Sequence, residues 1–416
     1  MEKQTSADAD NIMLPAGFPV QYKNSVAQKD SLENNLEISR IKVQGFLLHK
    51  LLFEHGMMLE KELHNEFLKI CLIESFNKKF QDDNMNFRVL LHHHQKTSIM
   101  KQLILIGCLS LSLAGVAQYT YKNLDINFGY TEAQLKNYTH ENLRLYPIKA
   151  RQSFVDTFEH VGKYMSLKVA LEKKKVIITE QLGGATVNTL TIENVSADTI
   201  MVMAGEVITG GKQNRIIGKD IILLPHSGKI DISVYCVEAG RWETVSTGSS
   251  RFSGYFNVGS MGLRKVVDKK QNQGDVWAKV DSINSLNSTS SNTRTYTAIN
   301  KSEDFTKKLK AYKDFFKEKF STEKNVVGVV VVSGNKVLGC DMFATSDLFK
   351  NNLENLLASY ATDAIISGSA VTATPQTVKS YMDKLLRNEE DQSATIKEKG
   401  KVFTNNGKKM RVTSYE

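Results

Sequence analysis

Short hydrophobic runs separated by turn residues dominate the chain between about residues 143 and 240. Residues 230–236 alternate between apolar and polar positions, which is typical of a strand with one buried face. Residues 200–203 are continuously apolar and therefore predict a strand that is buried on both faces. Together these patterns predict an antiparallel, β-rich first half.

Helical spacing replaces this pattern further along the chain. Trp277, Val280 and Ile283 recur every three residues, and apolar positions between 305 and 320 predict a second amphipathic helix. A β-hairpin follows at about 326–343, and another helix is predicted after it. The predicted fold class is therefore α+β, with an antiparallel β-rich first half (about 143–240) followed by helices and a β-hairpin (about 326–343).

The patterns divide the chain into four parts. Residues 1–99 form an upstream segment, which we interpret as a misannotated start or a disordered or helical extension, and residues 100–117 form a signal peptide. Residues 140–367 are predicted to be a single α+β domain with a mobile, Ser/Thr/Asn-rich linker at 284–302. Residues 374–416 are predicted to form a C-terminal helix and a charged tail.

The signal peptide is indicated by the order of features in residues 100–117. A lysine follows Met100, an apolar stretch comes next, and small residues precede the expected cleavage site near Ala117. We therefore expect export to the periplasm or the extracellular space, with no stable membrane anchor after cleavage. If residues 1–99 are translated, the same segment would instead anchor the protein in a membrane, although it is short for a span.

Composition narrows the possible functions. The chain holds 54 basic and 45 acidic residues, yet residues 1–99 hold 12 and 13 of them, so the positive excess lies downstream. That excess suits an anionic ligand or a solvated surface, and no aromatic-interleaved basic block indicates nucleic acid. The downstream histidines are too dispersed for metal-ligand spacing, so we expect neither a metal nor another cofactor. Cys236 and Cys340 lie in strand-like apolar runs, which favours buried free thiols.

The stretch GEVITGGKQNR, residues 205–215, is the densest cluster of polar chemistry. It does not match a nucleotide-triphosphate-binding loop. Aligning its Gly-Lys pair with that loop puts Glu206 at the first glycine and Gln213 at the hydroxyl position. The stretch therefore needs another explanation than a phosphate loop.

CVEAGRW, residues 236–242, does not match a phosphatase nucleophile loop, because only four residues separate Cys236 from Arg241. Glu206 and Glu238 each follow a predicted strand, and neighbouring strands would bring both carboxylates to one rim as candidate catalytic bases. The alternative is a structural cluster of ion pairs around tight turns. The candidate ligand-binding residues at this rim are Lys212, Gln213, Arg215, Arg241 and Trp242.

Five sequence blocks occur in an order that resembles one bacterial family. They are GEVITGGKQNR, CVEAGRW, NQGDVW, GVVVVSGNKVLGCDMF and LLASYATDAI, spread over roughly residues 143–366. The chain resembles the ARG and Rhodanese-Phosphatase-superfamily-associated protein domain, a domain of unknown function. The resemblance implies one domain and, from the association recorded in the family's name, a nucleotide or ADP-ribose-like ligand. The secondary candidates that it adds are Gln273, Trp277, Asp341 and Asp363.

Three hypotheses about function follow. The first is an exported protein that binds an anionic small molecule at the two strand-end loops. The second is a hydrolase that acts on a nucleotide or sugar-phosphate derivative, with Glu206 or Glu238 as general base. The third is a structural or envelope-interaction protein without a ligand. Neither the catalytic activity nor the oligomeric state follows from the sequence.

Overall fold

The computed structural model describes residues 118–181, 187–241 and 251–416. The upstream segment, the signal-peptide segment and Trp242 lie outside these residues. The strands are β1 (Leu124–Asp125), β2 (Thr139–His140), β3 (Leu143–Ala150), β4 (Met165–Ser166), β5 (Val176–Glu180), β6 (Thr189–Asn194), β7 (Ile200–Val202), β8 (Glu206–Gly210), β9 (Arg215–Ile217), β10 (Ile221–Leu223), β11 (Ile230–Cys236), β12 (Arg251–Val258), β13 (Val326–Ser333), β14 (Lys336–Phe343), β15 (Gly400–Asn405) and β16 (Lys408–Tyr415). The helices are α1 (Glu132–Lys136), α2 (Gln152–Thr157), α3 (Leu167–Glu172), α4 (Met261–Lys269), α5 (Gln273–Leu286), α6 (Glu303–Ser321), α7 (Ser346–Ser367), α8 (Pro375–Leu386) and α9 (Glu389–Lys399).

A closed antiparallel barrel contains six of these strands, in the order β11, β6, β5, β12, β8 and β9. Alternate side chains point inwards, and Ile178, Ile192, Ile208 and Val234 belong to the apolar cluster that fills the barrel. Side chains fill the interior because so small a barrel encloses no room for a channel. The alternation predicted for β11 is present, since Ile232, Val234 and Cys236 are buried.

A separate small sheet contains β10, β7 and β4, with β7 in the middle. All three residues of β7 are buried, which confirms the prediction made from its continuous apolar run. Strand β4 pairs with β7 in parallel, whereas β10 pairs with it in antiparallel orientation.

A seven-stranded antiparallel sheet forms the other main layer, in the order β1, β3, β13, β14, β16 and β15, with β2 also paired to β3. All eight residues of β13 are buried, as expected for a central strand made almost entirely of valine. Apolar side chains of α6, α7 and α8, such as Phe316, Leu356 and Met382, belong to the same core cluster as those of the sheet. The helices therefore cover this sheet.

The α+β fold class is confirmed, and β13 and β14 form the predicted hairpin. Of the C-terminal helix and charged tail predicted at 374–416, the helix is present as α8. The tail is not, because α9 follows, β15 and β16 form a second hairpin, and β16 pairs with β14. The sequence pattern of β16 did not predict a buried strand. Arg411 and Thr413 are polar, yet both are buried, because their side chains bind the carboxylate of Asp341.

Residues 284–302, the predicted mobile linker, include a 3-10 helix at Tyr296–Lys301. Tyr296 and Ile299 are fully buried in the cluster that joins the barrel to α4 and α5. Because the stretch is mostly polar, its sequence did not predict that these two residues are buried. Cys236 and Cys340 are buried free thiols, as predicted.

No helix among the described residues is long and apolar enough to cross a membrane.

Candidate functional site

Arg241 and Glu238 join the two predicted strand-end loops at one end of the barrel. The Arg241 guanidinium donates to the carbonyl of Gly211 at 3.0 Å, to that of Gly210 at 3.3 Å and to the Glu238 carboxylate at 3.0 Å. Glu238, which is almost fully buried, also accepts a hydrogen bond from the backbone N–H of Asn214 at 3.0 Å. The loop after β11 therefore holds the turn between β8 and β9, and the two loops do face each other.

The other polar residues of the turn are bound in the same way. Arg215 is fully buried and donates to the carbonyl of Gln213 at 2.7 Å and to the carboxylate of Glu180 at 3.5 Å. Glu180 also accepts from the backbone N–H of Lys212 at 3.0 Å, and the Gln213 amide donates to the carbonyl of Ala239 at 3.4 Å. At this rim most charged and polar groups are bound to neighbouring protein groups, although Nε of Arg215 has no hydrogen-bond partner among the described residues.

The glycine pair of this turn serves backbone geometry. Gly211 has φ of +54°, in the left-handed region, and a Cβ there would lie 2.4 Å from the ring of Phe252. Any larger residue would be strained and would also clash, so glycine is required for the chain to reverse. The apparent phosphate-loop signal is a tight turn.

Glu206 lies at the opposite end of β8 from this turn, about 13 Å away along the strand. It is fully buried and accepts hydrogen bonds from the backbone N–H of Met203 at 2.7 Å and the hydroxyl of Tyr255 at 3.0 Å. Burial raises the pKa of Glu206 to about 8, although both donors oppose the shift. The structure thus places the two candidate bases, Glu206 and Glu238, apart.

Gln273 and Trp277 lie on α5, beside the end of β11. The Gln273 amide accepts from the N–H of Cys236 and donates to its carbonyl, both at 2.8 Å, so it extends the strand's hydrogen-bond ladder. The indole nitrogen of Trp277 is buried without a hydrogen-bond partner in the described part of the chain. Gln273 therefore supports the fold next to the rim.

Asp341 lies at the centre of a buried ionic cluster. Arg264 binds it with both terminal nitrogens, at 2.6 and 2.9 Å, and Arg411 donates to it at 3.2 Å. The hydroxyls of Tyr360 and Thr413 donate to the same carboxylate at 2.8 and 2.7 Å. Although burial opposes ionisation, the two arginines hold the pKa of Asp341 well below its usual range.

Sequence analysis did not identify Arg264 and Arg411 as members of this cluster. Arg411 also bonds to Asp220 at 2.5 Å, and Asp220 accepts from the backbone N–H of Ala204, so the cluster connects the large sheet to the start of the barrel strands. One feature of the sequence could have indicated that Arg264 is buried. It occupies an apolar-spaced position of α4, three residues after Met261 and three before Val267, both of which are buried.

A cavity of about 430 Å³ lies where α4 begins, next to the end of α7 and the turn between β13 and β14. Asp363 on α7 accepts a hydrogen bond from the backbone N–H of Gly262 in the first turn of α4, at 3.1 Å. We call this space the α4–α7 cavity. The lining side chains used below are Lys265, Lys279, Lys336, Asp363, Ser333 and Tyr415.

The electrostatics of the α4–α7 cavity favour a negative charge. Burial raises the pKa of Asp363, and the Gly262 N–H and the Lys279 ammonium act against that rise. Lys279 also lies over the start of α4, since a Cβ at Gly262 would be 2.8 Å from its Cε. A cation beside the positive end of a helix dipole is unfavourable unless negative charge is nearby.

Among the described residues, no group of three or more His, Cys, Asp or Glu side chains is arranged to hold a metal ion. The rim and the Asp341 cluster are bound internally, whereas the α4–α7 cavity is open to a small molecule.

These features define an α+β domain that combines a closed six-stranded barrel, a seven-stranded antiparallel sheet and a lysine-lined cavity. The family model described as the ARG and Rhodanese-Phosphatase-superfamily-associated Protein domain matches residues 133–415, which is more than half of the chain. The protein therefore belongs to this family, a domain of unknown function, and the resemblance noted in its sequence is confirmed. No curated protein and no solved structure gave a significant match.

Proposed function

We propose that this protein binds a small anionic molecule in the α4–α7 cavity. The observation that carries the proposal is the meeting of three lysines, Lys265, Lys279 and Lys336, with the start of α4 around one cavity. Its volume of about 430 Å³ is within the range of small-molecule sites. Ammonium groups attract phosphate or carboxylate groups. The first N–H groups of α4 already donate to Asp363 and to the Ser260 hydroxyl, so the helix contributes its dipole rather than free N–H groups.

The acidic groups of the cavity do not cancel this charge. Two acidic side chains line it, Asp363 and Glu416, and the Glu416 carboxylate is paired with Lys399 at 3.1 Å. The Lys265 ammonium donates to the main-chain oxygen of Glu416 at 2.8 Å, and Lys279 acts on Asp363. Three lysines thus line the cavity beside two carboxylate side chains, and we place the anionic group of the ligand beside Lys279 and Lys336.

The rim of the barrel suits a ligand less well. A ligand there would have to displace the carbonyl and carboxylate partners of Arg241, and Arg215 is inaccessible. Glu206 and Glu238 are buried and bound to protein donors, so neither is placed to activate a water on a substrate. We therefore place the ligand in the cavity and include no hydrolytic step.

Calorimetric titration of the full chain with inorganic phosphate, pyrophosphate and citrate tests this function. We expect at least one of them to bind, with affinity that decreases as ionic strength rises. Lys279→Ala should weaken that binding about tenfold or more, since it removes a cation that lies against the ligand.

Two matched variants serve as controls. Lys350→Ala removes an exposed lysine from α7, and Arg241→Ala opens the rim, so neither should change the affinity by more than about twofold. If Arg241→Ala abolishes binding and Lys279→Ala does not, the ligand is at the rim. If none of the three anions binds, the proposed function is wrong and a structural role is favoured.

We also propose that the protein is exported, on the basis of the signal-peptide pattern in residues 100–117. Mass spectrometry of the native N-terminus tests this. A first peptide that begins at Gln118 supports export, and any peptide from residues 1–99 contradicts a start at Met100.

A further inference from the structure

Ser333, the last residue of β13, contributes a hydroxyl that no other group satisfies. Its side chain lines the α4–α7 cavity, is only 4% exposed, and its Oγ has no hydrogen-bond partner in the part of the chain that the structure describes. A buried hydroxyl without a partner costs about 1–3 kcal/mol. Such a group in a cavity wall indicates a ligand that offers it a donor or an acceptor.

Asp363 places a second chemical requirement on a ligand of this cavity. Its carboxylate accepts hydrogen bonds from the Gly262 and Met261 N–H groups and from Ser260, and it also forms part of the cavity wall. A carboxylate repels a bare anion, but it accepts strong hydrogen bonds from hydroxyl groups. The lysines and the acid together therefore select a ligand with two parts, an anionic group and a hydroxylated group.

The aromatic content of the cavity decides between a nucleotide and a smaller ligand. Tyr415 is the single aromatic residue among the described residues that line it, and its hydroxyl donates to Asp268 at 2.7 Å. The Tyr415 ring also lies against the Arg264 guanidinium, 5.6 Å from its centroid, so it already has a stacking partner. Nucleobases are usually held by aromatic stacking, and the cavity lies in the lower half of the size range for ligand sites.

We propose that the α4–α7 cavity is specific for a phosphorylated sugar or polyol. Lys279 and Lys336 bind its phosphate, while Asp363 and Ser333 bind its hydroxyl groups. This inference rests on the proposed function, because it assigns the chemistry of the ligand to the same site. It narrows the nucleotide-like ligand implied by the family's name to a compound without a base.

Calorimetric titration of the full chain with glucose 6-phosphate, glycerol 3-phosphate, inorganic phosphate, glucose and AMP tests this specificity. We expect at least one of the two phosphate esters to bind ten times more tightly than inorganic phosphate, and AMP to bind no better than that ester. Glucose alone should bind at least a hundred times more weakly, because it lacks the anionic group.

Two variants separate the hydroxyl contacts from the phosphate contacts. Asp363→Asn should weaken the best phosphate ester about tenfold and strengthen inorganic phosphate two- to threefold, since it removes an acceptor and a negative charge together. Ser333→Ala should weaken the ester about fivefold while thermal stability stays unchanged or rises, because no protein hydrogen bond is lost. A merely structural serine would instead lower the melting temperature. Asp347→Asn, an exposed change on the same helix, is the matched control.

The outcomes distinguish this inference from the proposed function. If inorganic phosphate binds in a Lys279-dependent manner and neither ester binds more tightly, the specificity is wrong and anion binding stands. If AMP binds more tightly than both esters, the ligand is a nucleotide and the specificity is again wrong. If no phosphate compound binds, both proposals fail.

Discussion

Asp341 and Asp363 are acidic residues of two neighbouring sequence blocks, and they lie in opposite environments. Asp341 receives hydrogen bonds from two arginines, a tyrosine and a threonine, which hold its pKa well below the usual range. Asp363 lies beside a cavity, and its hydrogen bonds come from Ser260 and the backbone N–H groups of Met261 and Gly262; burial raises its pKa despite them. A carboxylate bound to two arginines in the core serves the fold, whereas a carboxylate with uncharged donors at a cavity is available to a ligand.

The barrel rim resembles the Asp341 cluster in this respect. Its acid and bases were the strongest candidates by sequence, yet Glu238, Arg241 and Arg215 bind neighbouring protein groups. A stretch rich in polar residues can therefore indicate a network of internal hydrogen bonds as readily as a ligand-binding site. The contrast between charges bound in the core and charges beside the cavity can be tested by three substitutions.

The largest effect is expected from Asp341→Asn. It leaves Arg264 and Arg411 buried with one negative partner fewer, and breaking a buried pair costs about 3–5 kcal/mol of unfolding free energy. Urea denaturation of this variant beside Asp363→Asn measures the difference directly. A loss below about 1 kcal/mol in Asp341→Asn, or an equal loss in both variants, would remove the distinction between the two aspartates.

Glu206→Gln should have the next largest effect, which grows as pH rises from about 4.5 to about 8. Because the pKa of Glu206 is raised from 4.5 to about 8, its contribution to stability is fully present below pH 4.5 and is lost as pH rises through about 8. Glutamine mimics the protonated acid at every pH. We therefore expect the variant to match the parent within about 1 kcal/mol near pH 5 and to be more stable by about 3 kcal/mol at pH 7, where the unfolded-state carboxyl is ionised and the folded one is not.

Chemical denaturation at several pH values checks this expectation. The groups that face Glu206 are Tyr255, Asp220 and Arg411, and Asp220→Asn serves as a control for the acidic neighbour. Parallel stability curves for the parent and Glu206→Gln between pH 5 and 8.5 would show that Glu206 ionises normally.

Part of this organisation was predictable from the sequence, and the predictable part is local. The alternation in β11 and the apolar run of β7 reflect which faces of each strand are buried, so each pattern predicts its own strand. The buried state of Arg264 and Arg411 was not predictable from their own segments, because each depends on Asp341, 77 and 70 residues away. Likewise, the pattern of β16 does not show that it pairs with β14.

The residues of the candidate site were likewise only partly predictable from the sequence. The sequence indicated that the loops at 205–215 and 236–242 are polar, and resemblance to the family drew attention to Asp363. It did not show that Asp363 meets Gly262, 101 residues away, because only tertiary packing brings α4 and α7 together. Ser333 carried no signal, since a hydroxyl becomes informative only when its partners are known.

Gly262→Ala should have the smallest effect on stability, yet it should still weaken ligand binding. The new Cβ would lie 2.8 Å from Cε of Lys279 and 3.0 Å from its Nζ, so a flexible side chain must move while the helix stays in place. Because alanine is also the better helix former, we expect a stability change within about 1 kcal/mol.

The affinity of Gly262→Ala for the best anion should nevertheless fall about fivefold, because the ammonium of Lys279 is displaced without being removed. Calorimetry and thermal unfolding of the same sample separate these two quantities, with Gly228→Ala, an exposed turn glycine whose Cβ would meet no atom within 4 Å, as control. An unchanged affinity would mean that Lys279 reaches the ligand from elsewhere. A large loss of stability would place Gly262 with Asp341, among the residues that hold the fold.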